Sequence, residues 1–288
     1  MLIKELSHLD NSLIKEIQEL ESICKDFDGL NGTIYLDTSF NFNKDMKSKF
    51  LMYEDKKLAS FLSIFLPTSH EAEISAYTLP EYRRKGHFTM LLENAIKELK
   101  TYGVEDILFV CESKSEMAKE VTKELNAKYD FTEYSLRYSD IGNNSLDNHK
   151  YHSRLCTPKI EDIETIVHMS QRIFNEEYED AKSMVQNTME SEERIQYAII
   201  FENKYVGMGC ASFAGDEVSI YGLGILPEYQ GRGLGKELLF LILSDLAKKN
   251  CRNITLDVNS TNEKAFKLYR NNGFEVEISY DYYRKKIV

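Results

Sequence analysis

The phrase LPEYRRKGHFTMLL at residues 79–92 returns 147 positions later as LPEYQGRGLGKELL at residues 226–239. Leu79, Pro80, Glu81, Tyr82, Gly86, Leu91 and Leu92 fall on Leu226, Pro227, Glu228, Tyr229, Gly233, Leu238 and Leu239. Solenoid units recur every 20 to 50 residues or so, whereas a period this long marks a duplicated domain. Each copy follows a strand-like segment and precedes a helix-like one, which ties the duplication to a strand, a loop and a helix. The length of 288 residues agrees, since it exceeds what one core requires.

In the second copy, residues 194–226 read as three strands. The first two are joined at Glu202 and Asn203, and the third is entered through Ala214, Gly215 and Asp216. Leu234, Leu238, Leu241, Ile242 and Leu246 then recur at helical spacing, with Lys248 and Lys249 where cations suit the helix dipole. NITLDV reads as a buried strand, and residues 262–271 as a short amphipathic helix closed by Gly273 at its C-cap. Residues 274–288 predict a hairpin of two strands. The first copy repeats this order through KFLMYEDKKLASFLSIFL, EAEISAYTL, FTMLLENAIKELKTYG, DILFVC, a helix and YDFTEYSLRY. Residues 139–153 are rich in Asn and Ser and lack an apolar period, which predicts a linker. RLCTPKIEDIETIVHMSQRIF then opens the second domain as a strand and a helix, with Pro158 at an early helix position. The expected domains are residues 1–149 and 150–288.

Both copies are acidic. Residues 1–150 carry 19 Lys and Arg against 26 Asp and Glu, and the remainder 17 against 21, for a formal charge of −11. Sequence-independent nucleic-acid affinity needs cations that neutralise phosphates, so no nucleic-acid partner is expected. A cationic amine meets no general repulsion. Cys24, Cys111, Cys156, Cys210 and Cys251 stand far apart, with no C-x-x-C pair and no His at ligand spacing, so they read as reduced thiols with no metal. The opening MLIKELSHLDNSLIKE carries acids and no long apolar run, and no apolar run of about 18 residues occurs anywhere. Neither a leader nor a membrane partner is expected, and the cytoplasm is the expected location.

Backbone N–H groups between a strand and a helix N-terminus form an anion site, because the first amides lack helical partners and the dipole favours negative charge. Gly231, Gly233 and Gly235 remove the side chains that would hold a phosphate away. Two better-known glycine loops fail here. G-x-x-x-x-G-K-[ST] needs Gly at Gln230 and Ser or Thr at Glu237, and G-x-G-x-x-G from Gly231 meets Lys236 where its third glycine belongs. Q-x-x-G-x-G fits, at Gln230, Gly233 and Gly235. Downstream, Asn262, Ala265, Leu268, Tyr269, Gly273 and Phe274 spell N-x-x-A-x-x-L-Y-x-x-x-G-F.

With these two motifs the second copy resembles the GNAT acyltransferases, and the first resembles them in a weaker form. The resemblance implies an α/β (α+β) protein of two tandem domains, each a mixed, mostly antiparallel sheet flanked by helices. It implies acetyl-CoA as co-substrate and transfer of acetyl to a primary amine, with catalysis in the C-terminal domain. Carried over by position, Leu223, Gly224 and Ile225 line the pantetheine arm, and Gln230, Gly231, Arg232, Gly233, Leu234, Gly235 and Lys236 cradle the pyrophosphate. Asn262 contacts the pantetheine region and Tyr269 protonates the leaving thiolate. The family's usual strand glutamate falls on Ser219, so Glu217, on the same strand face, or a water chain is the expected general base. The implied partner is a small-molecule or peptide amine, and a homodimer is a compatible assembly.

Other readings stay open. The three glycines also suit a plain strand-to-helix turn, Tyr269 a core aromatic, and Cys210 a buried hydrophobe. A noncatalytic CoA-binding module is the alternative function. In the first copy, Phe88 replaces Gly235, Arg84 and Lys85 replace Gly231 and Arg232, and sequence alignment sets Asn126 against Tyr269. These changes predict a noncatalytic domain whose basic pair still offers an anion contact.

Overall fold

The computed structural model describes residues 1–139 and 152–287. Most of the linker expected at residues 139–153, and the boundary expected near residue 150, lie outside them. Contacts gather the chain into two compact units, Met1–Glu133 with Ile278–Val288 and Tyr134–Glu277.

The first unit runs β1 (Leu2–Leu6), α1 (Asn11–Asp28), β2 (Lys49–Glu54), β3 (Lys57–Phe65), β4 (Glu71–Thr78), α2 (His87–Thr101), β5 (Asp106–Glu112), α3 (Glu116–Glu124) and the first part of β6 (Lys128–Tyr138), whose residues from Tyr134 on belong to the second unit. Asp10 starts α1 by accepting the amides of Ser12 and Leu13 at 2.9 and 2.8 Å. β1 to β4 pair antiparallel in sequence order, and β4 pairs parallel with β5. The apolar stripe of α2 (Leu91, Leu92, Ala95, Leu99) buries Phe50, Leu62, Ile64 and Ile107 on one face of the sheet. On the other face Ile17, Leu20 and Cys24 of α1 cover Leu51, Phe61 and Leu79.

The second unit repeats this plan. After β7 (Arg154–Cys156) come α4 (Ile163–Phe174), α5 (Tyr178–Met189), β8 (Arg194–Phe201), β9 (Lys204–Ala214), β10 (Glu217–Ile225), α6 (Leu234–Lys248), β11 (Asn253–Asn259), α7 (Glu263–Arg270) and the first part of β12 (Phe274–Lys286), whose residues from Ile278 on belong to the first unit. β7 to β10 are antiparallel and β10 pairs parallel with β11. Leu234, Leu238, Ile242 and Leu246 of α6 bury Val218, Ile220, Ile254 and Leu256. α4 and α5 cover the opposite face with Ile166, Val167, Ala181 and Val185 over Ala198 and Met208. Even the hairpin turns correspond. Asp55 and Lys56 (φ 49 and 68°) match Glu202 and Asn203 (φ 50 and 62°), the left-handed pairs that a two-residue hairpin demands.

The structure departs from the sequence expectation in three elements. Residues 274–286 form one strand, β12, where a hairpin was expected. No turn residue interrupts FEVEISYDYYRKK, and its later part finds a partner in β5, from Tyr280↔Glu112 to Lys286↔Asp106. Pro158 lies ahead of the helix, which starts at Ile163 behind a 3-10 turn at Ile160–Asp162. α7 is capped by Asn271, with Gly273 (φ 90°) instead turning the chain into β12.

Within the first unit β12 is the antiparallel neighbour of β5, and Tyr282 donates to Glu133 of β6 at 2.8 Å. A fragment of residues 1–149 leaves that edge of β5 bare. It is therefore expected to melt well below the full chain or to precipitate, and fusing residues 278–288 to it restores folding. Thermal melts followed by circular dichroism check this, and a fragment as stable as the full chain refutes it.

Candidate active site

The site begins where two parallel strands part. β10 and β11 pair from Glu217↔Asn253 to Ile220↔Leu256, and the register ends there. On its other side β10 slips against β9 between Tyr221 and Gly224, with Gly222 at φ 57°. This is a β-bulge, which bends the strand that carries it. Leu223, Gly224 and Ile225 thus continue with β9 alone, on the side of an opening that leads between β10 and β11. Close packing holds the bend. A Cβ on Gly224 would collide with Ile173 and lie 3.3 Å from Phe174 Cζ, so the end of α4 sits directly on the strand.

The glycine loop follows. The Gln230 amide donates to Pro227 O at 3.2 Å, and its side-chain Nε2 folds back to Ile225 O at 2.9 Å, so Gln230 anchors the loop to the strand end. Gly231 and Gly233 adopt φ 76 and 81°, and no atom lies within 4 Å of a Cβ built on either, which leaves that side open. The first helical bond is Glu237 N to Gly233 O, so the amides of Leu234, Gly235 and Lys236 precede any helical acceptor. Arg232 lies 5.5 Å from the Tyr229 ring and Lys236 5.2 Å from the Phe240 ring. The residues present fit a pyrophosphate: glycine backbone, helix N-terminus and two cations. A Cβ at Gly235 would lie 3.8 Å from Ile225 and 4.0 Å from Leu268, which brings loop, strand and α7 together.

On α7, Asn262 caps the helix by accepting the Ala265 amide at 3.1 Å. Tyr269 is 7% exposed and packs in the core, yet its hydroxyl has no hydrogen-bond partner among the described residues. Buried tyrosine hydroxyls ordinarily find one. Burial pushes this phenol up to about 12, so it is a proton donor at neutral pH.

Glu217 does not join the others. It sits at the far end of β10, six strand steps or ~20 Å from Leu223, half exposed, 3.6 Å from Arg137 and 3.4 Å from Thr255 Oγ1. Strand parity placed it on the right face, but too far along. The carboxylate that stands where the ladder with β10 ends is Asp257, which lies outside both sequence motifs. It follows the last paired residue of β11, Leu256. Ile254, Leu256 and Val258 point into the core that contains Tyr269, so Thr255 and Asp257 face the opposite side, where the Tyr221 hydroxyl meets Thr188 of α5 at 3.0 Å. Asp257 is open to solvent, yet surrounding protein pushes its carboxyl above the ordinary aspartate range. The Ser135 hydroxyl opposes that rise and the charge of Glu217 adds to it. The sequence signal was there: one acid in the otherwise apolar or neutral strand NITLDV.

The first unit keeps the backbone of this loop and loses its chemistry. Arg84 (φ 60°) and Gly86 (φ 83°) trace the path of Gly231 and Gly233. Arg83 Nε donates to Thr78 O at 3.0 Å, as Gln230 does to Ile225, while its guanidinium grips Asp28 at 2.8 and 2.7 Å. Arg84 is held by Glu120 and Glu124, so one member of the expected basic pair is already partnered, while Lys85 lies over Tyr82 as Arg232 lies over Tyr229. Against β3, β4 runs unbroken from Phe65↔Glu73 to Ser60↔Thr78, without a bulge. Val110 stands in place of Asp257. Counted from the helix caps Ser115 and Asn262, buried Thr122 replaces Tyr269; Asn126, the alignment's choice, lies beyond the helix at φ 54°. Glu112 accepts the amides of Asn31 and Gly32 at 2.8 and 2.7 Å, and Tyr77 donates to Gly32 O at 3.3 Å, so the chain's own backbone lies across the strand ends.

Two stretches, residues 14–125 and 163–274, each match the acetyltransferase (GNAT) family. The chain belongs to the acetyltransferase (GNAT) family. As a GNAT protein it is an acyltransferase, built from two tandem GNAT-like folds. A [ribosomal protein bS18]-alanine N-acetyltransferase of Haemophilus influenzae is 34% identical over 97 residues, 33% of this chain and 66% of the relative. Its Escherichia coli counterpart is 26% identical over 123 residues, 42% of this chain and 81% of the relative. Among solved structures, a GCN5-related N-acetyltransferase of Sphaerobacter thermophilus superposes with TM-score 0.78 at 15% identity, covering 99% of this chain and 95% of that one. A tandem GNAT protein from the clavulanic acid biosynthesis pathway gives 0.75 at 11% identity, covering 100% and 98%. At these identities the likeness is one of fold.

A β-branched side chain in the left-handed region costs on the order of 1–3 kcal/mol, and about 1.4 kcal/mol is tenfold in affinity. Gly233→Val is therefore expected to weaken CoA binding about tenfold or more by calorimetry. Gly86→Val, at the matching turn of the first unit, leaves CoA affinity unchanged. Equal effects at both turns refute the assignment.

Proposed function

We propose that the second unit transfers the acetyl group of acetyl-CoA to a primary amine, and that the first unit neither binds CoA nor catalyses. One observation carries the reading: Asp257 follows the point where β11 parts from β10, on the face opposite the core in which Tyr269 packs with no hydrogen-bond partner among the described residues. Acetyl-CoA supplies an activated thioester. Leu234, Gly235 and Lys236 offer backbone amides to its pyrophosphate, with Arg232 and the Lys236 side chain beside them. The β10 strand, freed from β11 past Ile220, offers backbone groups to the arm and the thioester oxygen.

Asp257 takes the proton of the incoming amine at its carboxylate, directly or through water, on the face that α5 borders. Tyr269 gives its hydroxyl proton to the departing sulfur on the core side. The two roles require opposite protonation states, and the intrinsic acidities of a carboxyl and a phenol set them apart. Burial raises the Asp257 carboxyl above the ordinary aspartate range and pushes the Tyr269 phenol up to about 12, so the phenol holds its proton at neutral pH. The acceptor is a small-molecule or peptide amine. The names of the bacterial relatives support a protein amine, since they give an alanine of ribosomal protein bS18 as acceptor. The proposed location is the cytoplasm, where the five free cysteines stay reduced.

Tyr269→Phe and Asp257→Asn are each expected to slow CoA release with an amine panel on the order of 10²–10⁴-fold while leaving the affinity for CoA nearly unchanged. Asp257 acts only when ionised, so kcat/KM rises with pH through a value above that of ordinary aspartate. Asp257→Asn removes this acidic limb. A wild type that binds CoA and releases none with any amine refutes the enzymatic reading. Calorimetry is expected to give one CoA per chain, and two would refute the assignment of the first unit.

A further inference from the structure

Phe174, the last residue of α4, keeps 42% of its surface exposed although its ring edge lies at 3.3 and 3.4 Å from a Cβ position on Gly224. Two features fix it there. Asn175 takes φ 55° and ends the helix, so the chain turns away immediately after the ring. Ile173 packs so closely on Gly224 that no side chain fits at that position, which leaves the end of α4 no room to slide along the strand. The exposed part of the ring therefore stands beside the stretch of β10 that follows the bulge.

The first unit shows that this fold does not require an aromatic there. Counted back from the left-handed residues that end the two helices, Gly29 and Asn175, the place of Phe174 is taken by Asp28, whose carboxylate holds Arg83 at 2.7 Å. Tyr77 takes the place of Gly224. The copy without the bulge has thus exchanged both members of the Phe174 and Gly224 pair. Ring and glycine go with the open strand.

We propose that Phe174 limits the length of the acyl group, so that an acyl chain held on β10 beside Gly224 ends against this ring. Acetyl fits in front of it, and longer straight chains meet the ring edge. The proposal rests on the reading that β10 carries the acyl thioester. One surplus methylene in a closed apolar site is worth roughly 10–200-fold in discrimination, which sets the size of the effect.

The test is calorimetric titration of the full chain with CoA, acetyl-CoA and butyryl-CoA. The wild type is expected to bind butyryl-CoA about tenfold or more weaker than acetyl-CoA. Phe174→Ala brings the two within about twofold and leaves the affinity for CoA itself unchanged, and Phe174→Leu, which better preserves the packing on α4, gives an intermediate ratio. If CoA binds and the butyryl-to-acetyl ratio is the same in all three proteins, Phe174 is not the limit. If the wild type binds no CoA, the underlying reading fails together with the proposal.

Discussion

The separation of β10 from β11 is the constraint on which the candidate site of the second unit depends. Parallel strands normally continue their ladder, and an unpaired stretch beside a core leaves amides and carbonyls without partners. Here the separation is imposed by one extra residue in β10, and it is held open by the end of α4 pressed onto Gly224. Every other feature takes its position from that gap. The glycine loop lies at its end through the Gln230 bond to Ile225, α7 packs beside it through Leu268, and Asp257 is the first residue of β11 to lose its neighbour.

The two copies show which part of such a site is hardest to lose. Backbone conformation persists: the hairpin turns, the 3-10 turn after the strand and the left-handed positions before the helix are all kept. Side-chain chemistry does not. Where the second unit leaves amides and a phenol without protein partners, the first has filled equivalent places with ion pairs and its own backbone. An arginine even occupies a left-handed position, at Arg84, where two glutamates hold its far end. Unpartnered polar groups cost stability, and the first copy satisfies them within the protein.

Much of this was legible in the sequence. The repeat, three strands before each loop, the long helices and the loop glycines follow from periods and turn residues that act locally. What escaped was non-local. Nothing in FEVEISYDYYRKK says that its later residues pair with a strand made more than 150 positions earlier. The bulge at Gly222 is a mismatch between neighbouring strands, invisible in either alone. Glu217 was chosen by face, which alternation reveals, but its distance from the opening depends on where the ladder with β11 stops. Asp257 required that same boundary, and Asn126 was aligned by sequence where the helix cap sets the true count.

The path of β12 has a consequence for how the chain is made. Synthesis proceeds from the N-terminus, and domains commonly fold in that order. Here the strand that completes the first unit emerges only after the whole second unit. The nascent first unit must wait with an open sheet edge through the translation of its sibling. The shared strand also binds the two copies as a lineage: neither can be excised or exchanged by a simple cut.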